Sequence, residues 1–212
     1  MRSFKPFNTF DFETFGEALS EANNIYKNVY IESTTKIKDL ETKKDSDLVF
    51  KTERENKDDS GIYIRLKHIA SIGKDESNTK YDSYPCNNDF NSCNSNCFSD
   101  FKADFKENNK YERMFCNYRL SKIYWINEIM KLYHNNDKRV KGYIEEKSKN
   151  VDKVFLFFQE GKSYFLICFE RVKRGNKYKY FFKTSYPVVM RSLIKKTKSK
   201  IQLYKKYGKI KK

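Results

Sequence analysis

The chain has 212 residues, with 44 Lys and Arg against 28 Asp and Glu, which gives a formal net charge of +16. Only 38% of the residues are apolar, yet 17% are aromatic. This composition excludes collagen, a coiled-coil rod and a disulfide-rich scaffold, and the abundant rings argue against a chain that is disordered throughout.

The positive charge lies in the second half of the chain. Residues 1–110 hold 17 basic and 20 acidic side chains, whereas residues 111–212 hold 27 basic and 8 acidic ones, a net charge of +19. Such a region is expected to attract polyanions, nucleic acid first and an anionic membrane second. The alternative is a solvated Lys-rich surface, to which the codon bias of an AT-rich genome would contribute.

Neither a membrane span nor a bound metal is predicted. No segment approaches the roughly 18 consecutive apolar residues that cross a bilayer, and the start lacks the apolar run of a secretory signal, so a cytoplasmic protein without a membrane partner is expected. The five cysteines are an odd number, which argues against a complete disulfide framework. The spacing of Cys86, Cys93 and Cys97 fits no familiar zinc site, so no metal and no cofactor are predicted.

The first half predicts a small α/β region of unknown role over residues 1–72. Apolar residues recur at helical spacing between Phe15 and Ile25, which predicts a helix there. Residues 28–32 and 61–66 are each predicted to be extended. Residues 73–110 are rich in Asp, Asn, Ser and Lys, which is typical of a low-complexity linker or a mobile insertion.

The second half, residues 111–212, predicts one compact basic module. The 3.6-residue period of its apolar positions predicts a single helix over residues 111–134, followed by a small extra element at 140–147. Three apolar runs separated by short turns then predict an antiparallel meander, with strands at 154–158, 164–169 and 178–184.

A closing helix follows the meander. Pro187 is predicted to open it, because proline is favoured at a first helical position, and Gly208 is predicted to end it. Its core-facing stripe would be Met190, Ile194, Thr197, Ile201 and Tyr204. Its opposite face would carry Arg191, Lys195, Lys198, Lys205 and Lys206. The predicted fold class is therefore α+β, with an N-terminal helix packed on an antiparallel sheet of three to four strands and a closing C-terminal helix.

No familiar catalytic motif is present, since the chain lacks a Gly-rich phosphate loop, a carboxylate cluster and a Ser-His-Asp spacing. Its two histidines, His68 and His134, are most simply structural. Thr184 and Ser185 instead stand at the end of a predicted strand, beside a helix start that attracts phosphate. With basic side chains from the first helix, they could supply the phosphate contacts that metal-free RNA cleavage needs.

Three segments carry a resemblance to a known superfamily. They are Arg119–Ile126 (RLSKIYWI), Glu170–Arg171 and Phe182–Val188 (FKTSYPV). Residues 111–207 resemble phage-associated members of the barnase–EndoU–colicin–RelE (BECR) nuclease superfamily, in which an N-terminal helix packs on an antiparallel sheet whose late strand ends in a T-[AS]-Y-P turn.

The resemblance implies a metal-independent, toxin-like endoribonuclease of phage or mobile-element origin, with RNA as substrate and an immunity or other phage protein as a further partner. It implies catalytic roles for four residues: Arg119 and Arg171 would hold the phosphate, and Thr184 or Ser185 would hydrogen-bond it. The implied substrate contacts are Lys122, Glu170, Lys183 and Tyr186. No general base is identified. The alternatives are a non-catalytic nucleic-acid-binding protein of a phage or plasmid and a phage structural or interaction protein.

Overall fold

The computed structural model describes residues 4, 12–13, 15–32, 35–50, 61–73, 105–107, 111–188 and 191–211. The chain divides into two compact units, the first made of residues 1–27 and 55–125 and the second of residues 28–54 and 126–212. In this division residues 28–54 belong to the second unit and residues 111–125 to the first, while the predicted domain boundaries near residues 73 and 110 stay a prediction. Cys86, Cys93 and Cys97 and most of the predicted linker lie outside the described residues.

The helices and strands follow in chain order. They are α1 (Phe15–Ile25), a π-helical segment (Tyr26–Ile31), β1 (Thr35–Lys38), β2 (Asp45–Val49), α2 (Ile64–Ile69), β3 (Ser71–Gly73), β4 (Phe105–Glu107), β5 (Tyr111–Phe115), α3 (Asn117–Leu120), α4 (Trp125–His134), β6 (Val140–Ser148), β7 (Val151–Glu160), β8 (Ser163–Arg174), β9 (Lys177–Pro187) and α5 (Arg191–Tyr207). In the described ranges, no helix is long and apolar enough to cross a membrane.

The first unit contains α1 and a three-stranded sheet in the order β3-β5-β4. The helix predicted from Phe15 is confirmed, and it buries the apolar positions Ala18, Leu19 and Ala22. The extended segments predicted at 28–32 and 61–66 are wrong. The first is π-helical, and the second leads into α2, where Leu66 and Ile69 are buried at helical spacing.

The single helix predicted over residues 111–134 is also wrong. Residues 111–115 form β5, which pairs with β3 on one side and β4 on the other, so sheet pairing overrides the helical periodicity. The Ser121 hydroxyl donates to the Tyr118 carbonyl at 2.8 Å, and the Lys122, Ile123 and Trp125 amides donate to carbonyls three residues back. These tight turns separate α3 from α4, because the side-chain bond competes with helical pairing.

The second unit is built on a six-stranded sheet in the order β1-β2-β9-β8-β7-β6. The pairs are antiparallel except β2–β9, which is parallel. The predicted meander is confirmed, and so is the α+β class. The predicted count of three to four strands is too low, because residues 140–148 form a full strand and the β1–β2 hairpin extends the sheet beyond β9.

Helix α5 packs on one face of this sheet, here called the α5 face. Of its predicted core-facing stripe, Thr197 and Ile201 are buried against Tyr143, Phe157 and Leu166, and Ile194 and Tyr204 are partly buried there, whereas Met190 lies outside the described residues. Gly208 ends the helix with a φ of +76° and donates to the Tyr204 carbonyl, as predicted. Pro187, by contrast, does not open the helix. It is the last residue of β9, opposite Phe165, and the pairing continues as the Val188 amide donates to the Tyr164 carbonyl.

The β1–β2 turn reaches across the opposite face of the sheet. Leu40 lies just after β1 and is buried, and its side chain covers Gly142 on β6, a strand at the other edge. A Cβ added at Gly142 would lie 2.6 Å from Leu40 Cδ2 and 2.8 Å from Cδ1. Only glycine leaves room for this contact, which holds the turn over the sheet.

We expect Gly142→Ala to destabilise the protein by about 1–3 kcal/mol, because the new methyl group forces Leu40 out of its buried position. Urea denaturation of the full chain measures the change. Leu40→Ala is destabilising by itself, but adding Gly142→Ala to it should cost little further. If the losses of unfolding free energy were additive in the double variant, the effect of Gly142→Ala would not arise from a clash with Leu40.

Candidate nucleic-acid interface

Helix α5 is strongly basic. Its 17 residues include seven Lys or Arg and no Asp or Glu. Lys198, Ile201, Gln202 and Lys205 stand at positions i, i+3, i+4 and i+7, so they form one stripe along the helix. This stripe borders the sheet on the side of β6 and β7.

A cleft of about 470 Å³ lies between this stripe and the sheet. Its apolar floor is formed by Phe157 and Ile201, both nearly fully buried, and its walls are polar. The residues of this basic cleft are Lys138, Arg139, Lys141, Phe157, Gln159, Gly161, Lys198, Ile201, Gln202 and Lys205. Five of these ten residues are cationic, so the cleft is suited to an anion with several charges.

One of the five cations is already neutralised. Arg139 bonds Asp137 through Nη2 and Glu160 through Nη1, each at 2.7 Å. Hydrogen bonds from the Arg139 side chain and backbone, with partial opposition from desolvation, lower the pKa of Asp137 to about 2. The pair therefore stays ionised over the physiological range and fixes Arg139 at the cleft wall.

The four lysines of the cleft are available to a ligand. No carboxylate in the described part of the chain lies within 4.0 Å of the ammonium of Lys138, Lys141, Lys198 or Lys205. Lys198 lies over the Tyr164 ring, with Nζ 5.1 Å from the centroid. Four lysines around one concave surface, with no acidic partner among the described residues, have the charge that suits phosphate groups.

Three of the residues implied by the superfamily resemblance lie together on the α5 face. The Glu170 carboxylate is 3.9 Å from Lys183 Nζ and 2.8 Å from Lys147 Nζ. A β-bulge opposite Cys168 places Lys183 and Thr184 next to each other on this face, because two residues of β9 there oppose one of β8. Tyr186 lies on the same face but packs against the α5 core.

Ser185 and Arg171 lie on the opposite face of the sheet. Ser185 is 3% exposed, and Arg171 is fully buried. Alternation along β8 and β9 turns both side chains away from Thr184. The phosphate site expected from Arg171, Thr184 and Ser185 together is therefore not assembled at one point of the sheet.

Arg171 is the centre of a buried ionic cluster. Its guanidinium donates to Asp39 at 2.9 Å, to Glu41 at 2.5 Å and to Asp152 at 2.7 Å, and its Cζ lies 4.0 Å from the centroid of the Tyr178 ring. Its pKa is raised because these hydrogen bonds outweigh the desolvation that would lower it. Because protein atoms surround the Arg171 guanidinium on every side, its observed contacts are structural, and the expected phosphate contact is not open to it.

Asp39 is the most constrained acid of this cluster. The amides of Glu41 and Thr42 donate to its Oδ1, and the Tyr180 hydroxyl donates to its Oδ2 at 2.8 Å. Burial alone would raise the pKa of Asp39, but these hydrogen bonds and the charge of Arg171 lower it below the ordinary value. Lys209 adds a second cation by bonding Asp152 at 3.0 Å.

The remaining two predicted site residues belong to the first unit. Arg119 Nη1 donates to the Ser71 carbonyl at 2.6 Å. Lys122 Nζ lies 5.0 Å from the centroid of the Tyr118 ring and 4.4 Å from that of Trp125, and desolvation lowers its pKa. Both side chains thus have neighbours within their own unit.

The residues of the basic cleft were not recognised as a site from the sequence. The predicted outer face of the closing helix includes Lys198 and Lys205. Lys138 precedes the segment that the sequence predicts as a small extra element, and Lys141 lies in it. The signal that could have found them is the acid-free stretch from Arg171 to Lys212, which holds sixteen Lys and Arg. Its helical spacing predicts a basic stripe, although not the cleft beneath it.

Comparisons of the chain with protein-family models, with curated proteins and with solved structures gave no match. The resemblance to the BECR superfamily therefore rests on the short motifs alone and stays a prediction. What the chain can bind has to be inferred from its own geometry.

Proposed function

We propose that this protein binds nucleic acid through the basic cleft. The observation that carries the proposal is the convergence of Lys138, Lys141, Lys198 and Lys205 on one concave surface, with no carboxylate of the described residues within 4.0 Å of their ammonium groups. Such lysines act as phosphate contacts and release the counterions condensed on the polyanion.

A polymer fits this charge distribution better than a single small anion does. Beyond the cleft, α5 carries further exposed cations at Lys195, Lys196 and Lys206, and no acid follows Glu170 in the sequence. The positive field therefore continues along the helix past the walls of the cleft. A nucleic-acid strand would make its phosphate contacts in the cleft and would also be attracted by this wider positive field, whereas a small anion would depend on the cleft alone.

RNA cleavage stays a prediction from the superfamily resemblance. Its proposed groups are divided between the two faces of the sheet and the first unit, so no observation favours catalysis over binding. We therefore propose binding without turnover, which is the non-catalytic alternative that the sequence left open. The experiments below measure both RNA binding and RNA cleavage.

The test compares two double variants of the full chain that remove the same charge from α5. Lys198→Gln with Lys205→Gln changes the cleft, whereas Lys196→Gln with Lys206→Gln changes exposed positions outside it. At 0.1 M salt the cleft variant should bind a labelled 20-nucleotide RNA about 20-fold more weakly by fluorescence anisotropy. The reason is that each lost phosphate contact removes about 0.7 from the salt slope for single strands, or roughly fivefold in affinity.

The matched variant should lose much less affinity, and its salt slope should stay near that of the wild type. Equal losses in the two variants would assign binding to diffuse charge and overturn the cleft. The absence of any binding at low salt would overturn the proposed function and favour an interaction or structural role. Incubation of the RNA with protein in EDTA, followed by gel analysis, should leave it intact, and shortened products would restore the nuclease prediction.

A further inference from the structure

The α5 face carries a second basic area beside the helix, on β7, β8 and β9. It is here called the open sheet surface and is defined by five half-buried residues, Lys153, Glu170, Lys179, Phe181 and Lys183, of which the Lys183 side chain is 38% exposed. The strand register joins these residues, because Glu170 stands opposite both Lys153 and Phe181. They therefore form one continuous surface.

Phe181 is the aromatic centre of this surface. It stands outside the apolar cluster that packs under α5, and its ring is only half-buried. Lys179 Nζ lies 5.8 Å from its centroid, and Val49 stands opposite it on β2. An aromatic ring presented on a sheet among lysines is the arrangement that proteins use to stack an unpaired base.

The charge of the open sheet surface is positive despite its acids. Glu170 accepts a hydrogen bond from Lys147 and lies near Lys183, and Lys153 also acts on it. Desolvation would raise the pKa of Glu170, yet these three cations lower it, so one carboxylate faces three lysines. Asp47 stands opposite Lys179 and offsets that single charge. A net positive charge around the ring complements a phosphate backbone.

We infer that the bound nucleic acid is single-stranded, with one base stacked on Phe181 and its backbone continuing into the basic cleft. This inference rests on the proposed function and names its ligand class. Phe157 in the cleft and Phe181 are roughly 17 Å apart by strand rise and spacing, so a strand of a few nucleotides reaches both. A duplex keeps its bases paired and has none to offer the ring.

The test uses the full chain and ligands that differ in bases but not in phosphates. These are a ten-residue oligoadenylate, in RNA and DNA forms, and a ten-residue abasic strand. Phe181→Leu should weaken oligoadenylate binding at least fivefold and leave abasic binding unchanged, because stacking one base is worth a factor of about 5 to 150. Phe181→Trp should keep the affinity, and its added fluorescence should be quenched by oligoadenylate but not by the abasic strand.

The outcomes separate this inference from the proposed function. The stacking site would be overturned if Phe181→Leu lost as much affinity for the abasic strand as for oligoadenylate. It would also be overturned if a blunt duplex competed as strongly as the single strand. In either case RNA binding would still depend on Lys198 and Lys205, and the proposed function would stand. Failure of every strand to bind the wild type would overturn the proposed function itself. Should Phe181→Leu prove poorly folded by thermal denaturation, the quenching measurement with Phe181→Trp decides alone, and unquenched emission counts against stacking.

Discussion

Replacing Arg171 with Leu is expected to destabilise the protein by about 3–5 kcal/mol. The guanidinium is fully buried and bonded to Asp39, Glu41 and Asp152, so its removal leaves Asp39 and Asp152 charged and buried without their main partner. Of the three acids in this described cluster, Lys209 bonds Asp152, and its single ammonium cannot replace the fork of donors that reaches all three. The measurement is urea denaturation of the full chain at pH 7.

Arg174→Leu is the matched control for this variant. It removes the same side chain from the same strand, but at an exposed position beside the turn into β9. We expect a change within about 0.5 kcal/mol there. If Arg171→Leu unfolds at the same urea concentration as this control, the ionic cluster contributes no net stability.

The same variant decides between a structural Arg171 and the phosphate contact implied by the superfamily resemblance. A structural role predicts a large loss of stability, and at temperatures where the variant remains folded it predicts unchanged RNA affinity. A phosphate contact predicts the reverse, with little loss of stability and a lower salt slope. The buried geometry favours the first outcome.

The parts of the fold that follow local periodicity were predictable from the sequence. The apolar runs of β7, β8 and β9 are separated by turns at Gly161 and Gly175, both of which have positive φ. The 3.6-residue period of α5 predicts which of its residues face the sheet. Each of these elements is fixed by its own residues and its nearest neighbour in the chain. Local rules therefore suffice for them.

The parts that depend on distant pairing were not predictable. The segment 111–115 has the apolar spacing of a helix but becomes a strand because β3 and β4 offer it partners. The β1–β2 hairpin joins the second unit through parallel pairing of β2 with β9, more than a hundred residues later. No local sequence pattern predicts the pairing of β5 with β3 and β4 or that of β2 with β9.

The predicted site residues are dispersed for a related reason. The bulge at Lys183 interrupts the alternation of β9, so Lys183 and Thr184 share one face while Ser185 lies on the other, and no sequence motif predicts this arrangement. Arg171 reads as an exposed cation in the sequence because its acids, Asp39 and Glu41, come from the first half of the chain. Charge counting located the basic region correctly but could not show which cations are already paired.

Pairing also explains how a basic surface is left for a ligand. The acids of the C-terminal half are mostly held by particular cations: Asp137 and Glu160 by Arg139, Glu145 by Lys200 and Asp152 by Arg171. In the part of the chain that the structure describes, no carboxylate therefore lies within 4.0 Å of the remaining lysines of the cleft. A uniform Lys-rich surface would distribute its acids without such selectivity, and this contrast supports a binding surface.

Asp39→Asn is expected to destabilise the protein by about 3 kcal/mol at pH 7, with an effect that depends on pH. The folded-state pKa of Asp39 lies below its ordinary value of 3.8. A carboxyl group with a lowered pKa contributes stability above the ordinary pKa and loses it as the pH falls through the folded pKa. The difference in unfolding free energy between wild type and variant should therefore be constant from pH 5 to 7 and shrink below about pH 4.

Asp47→Asn provides the control, because Asp47 is an exposed carboxylate on β2, the strand that follows the same turn. It should change the unfolding free energy by less than about 0.5 kcal/mol at each pH measured. Urea denaturation at pH 3.5, 5 and 7 measures all three proteins. A wild-type advantage over Asp39→Asn that is as large at pH 3.5 as at pH 7 would show that the charge of Asp39 does not hold the cluster together. Its role would then be hydrogen bonding to the Thr42 amide and the Tyr180 hydroxyl, which the neutral group could retain in part.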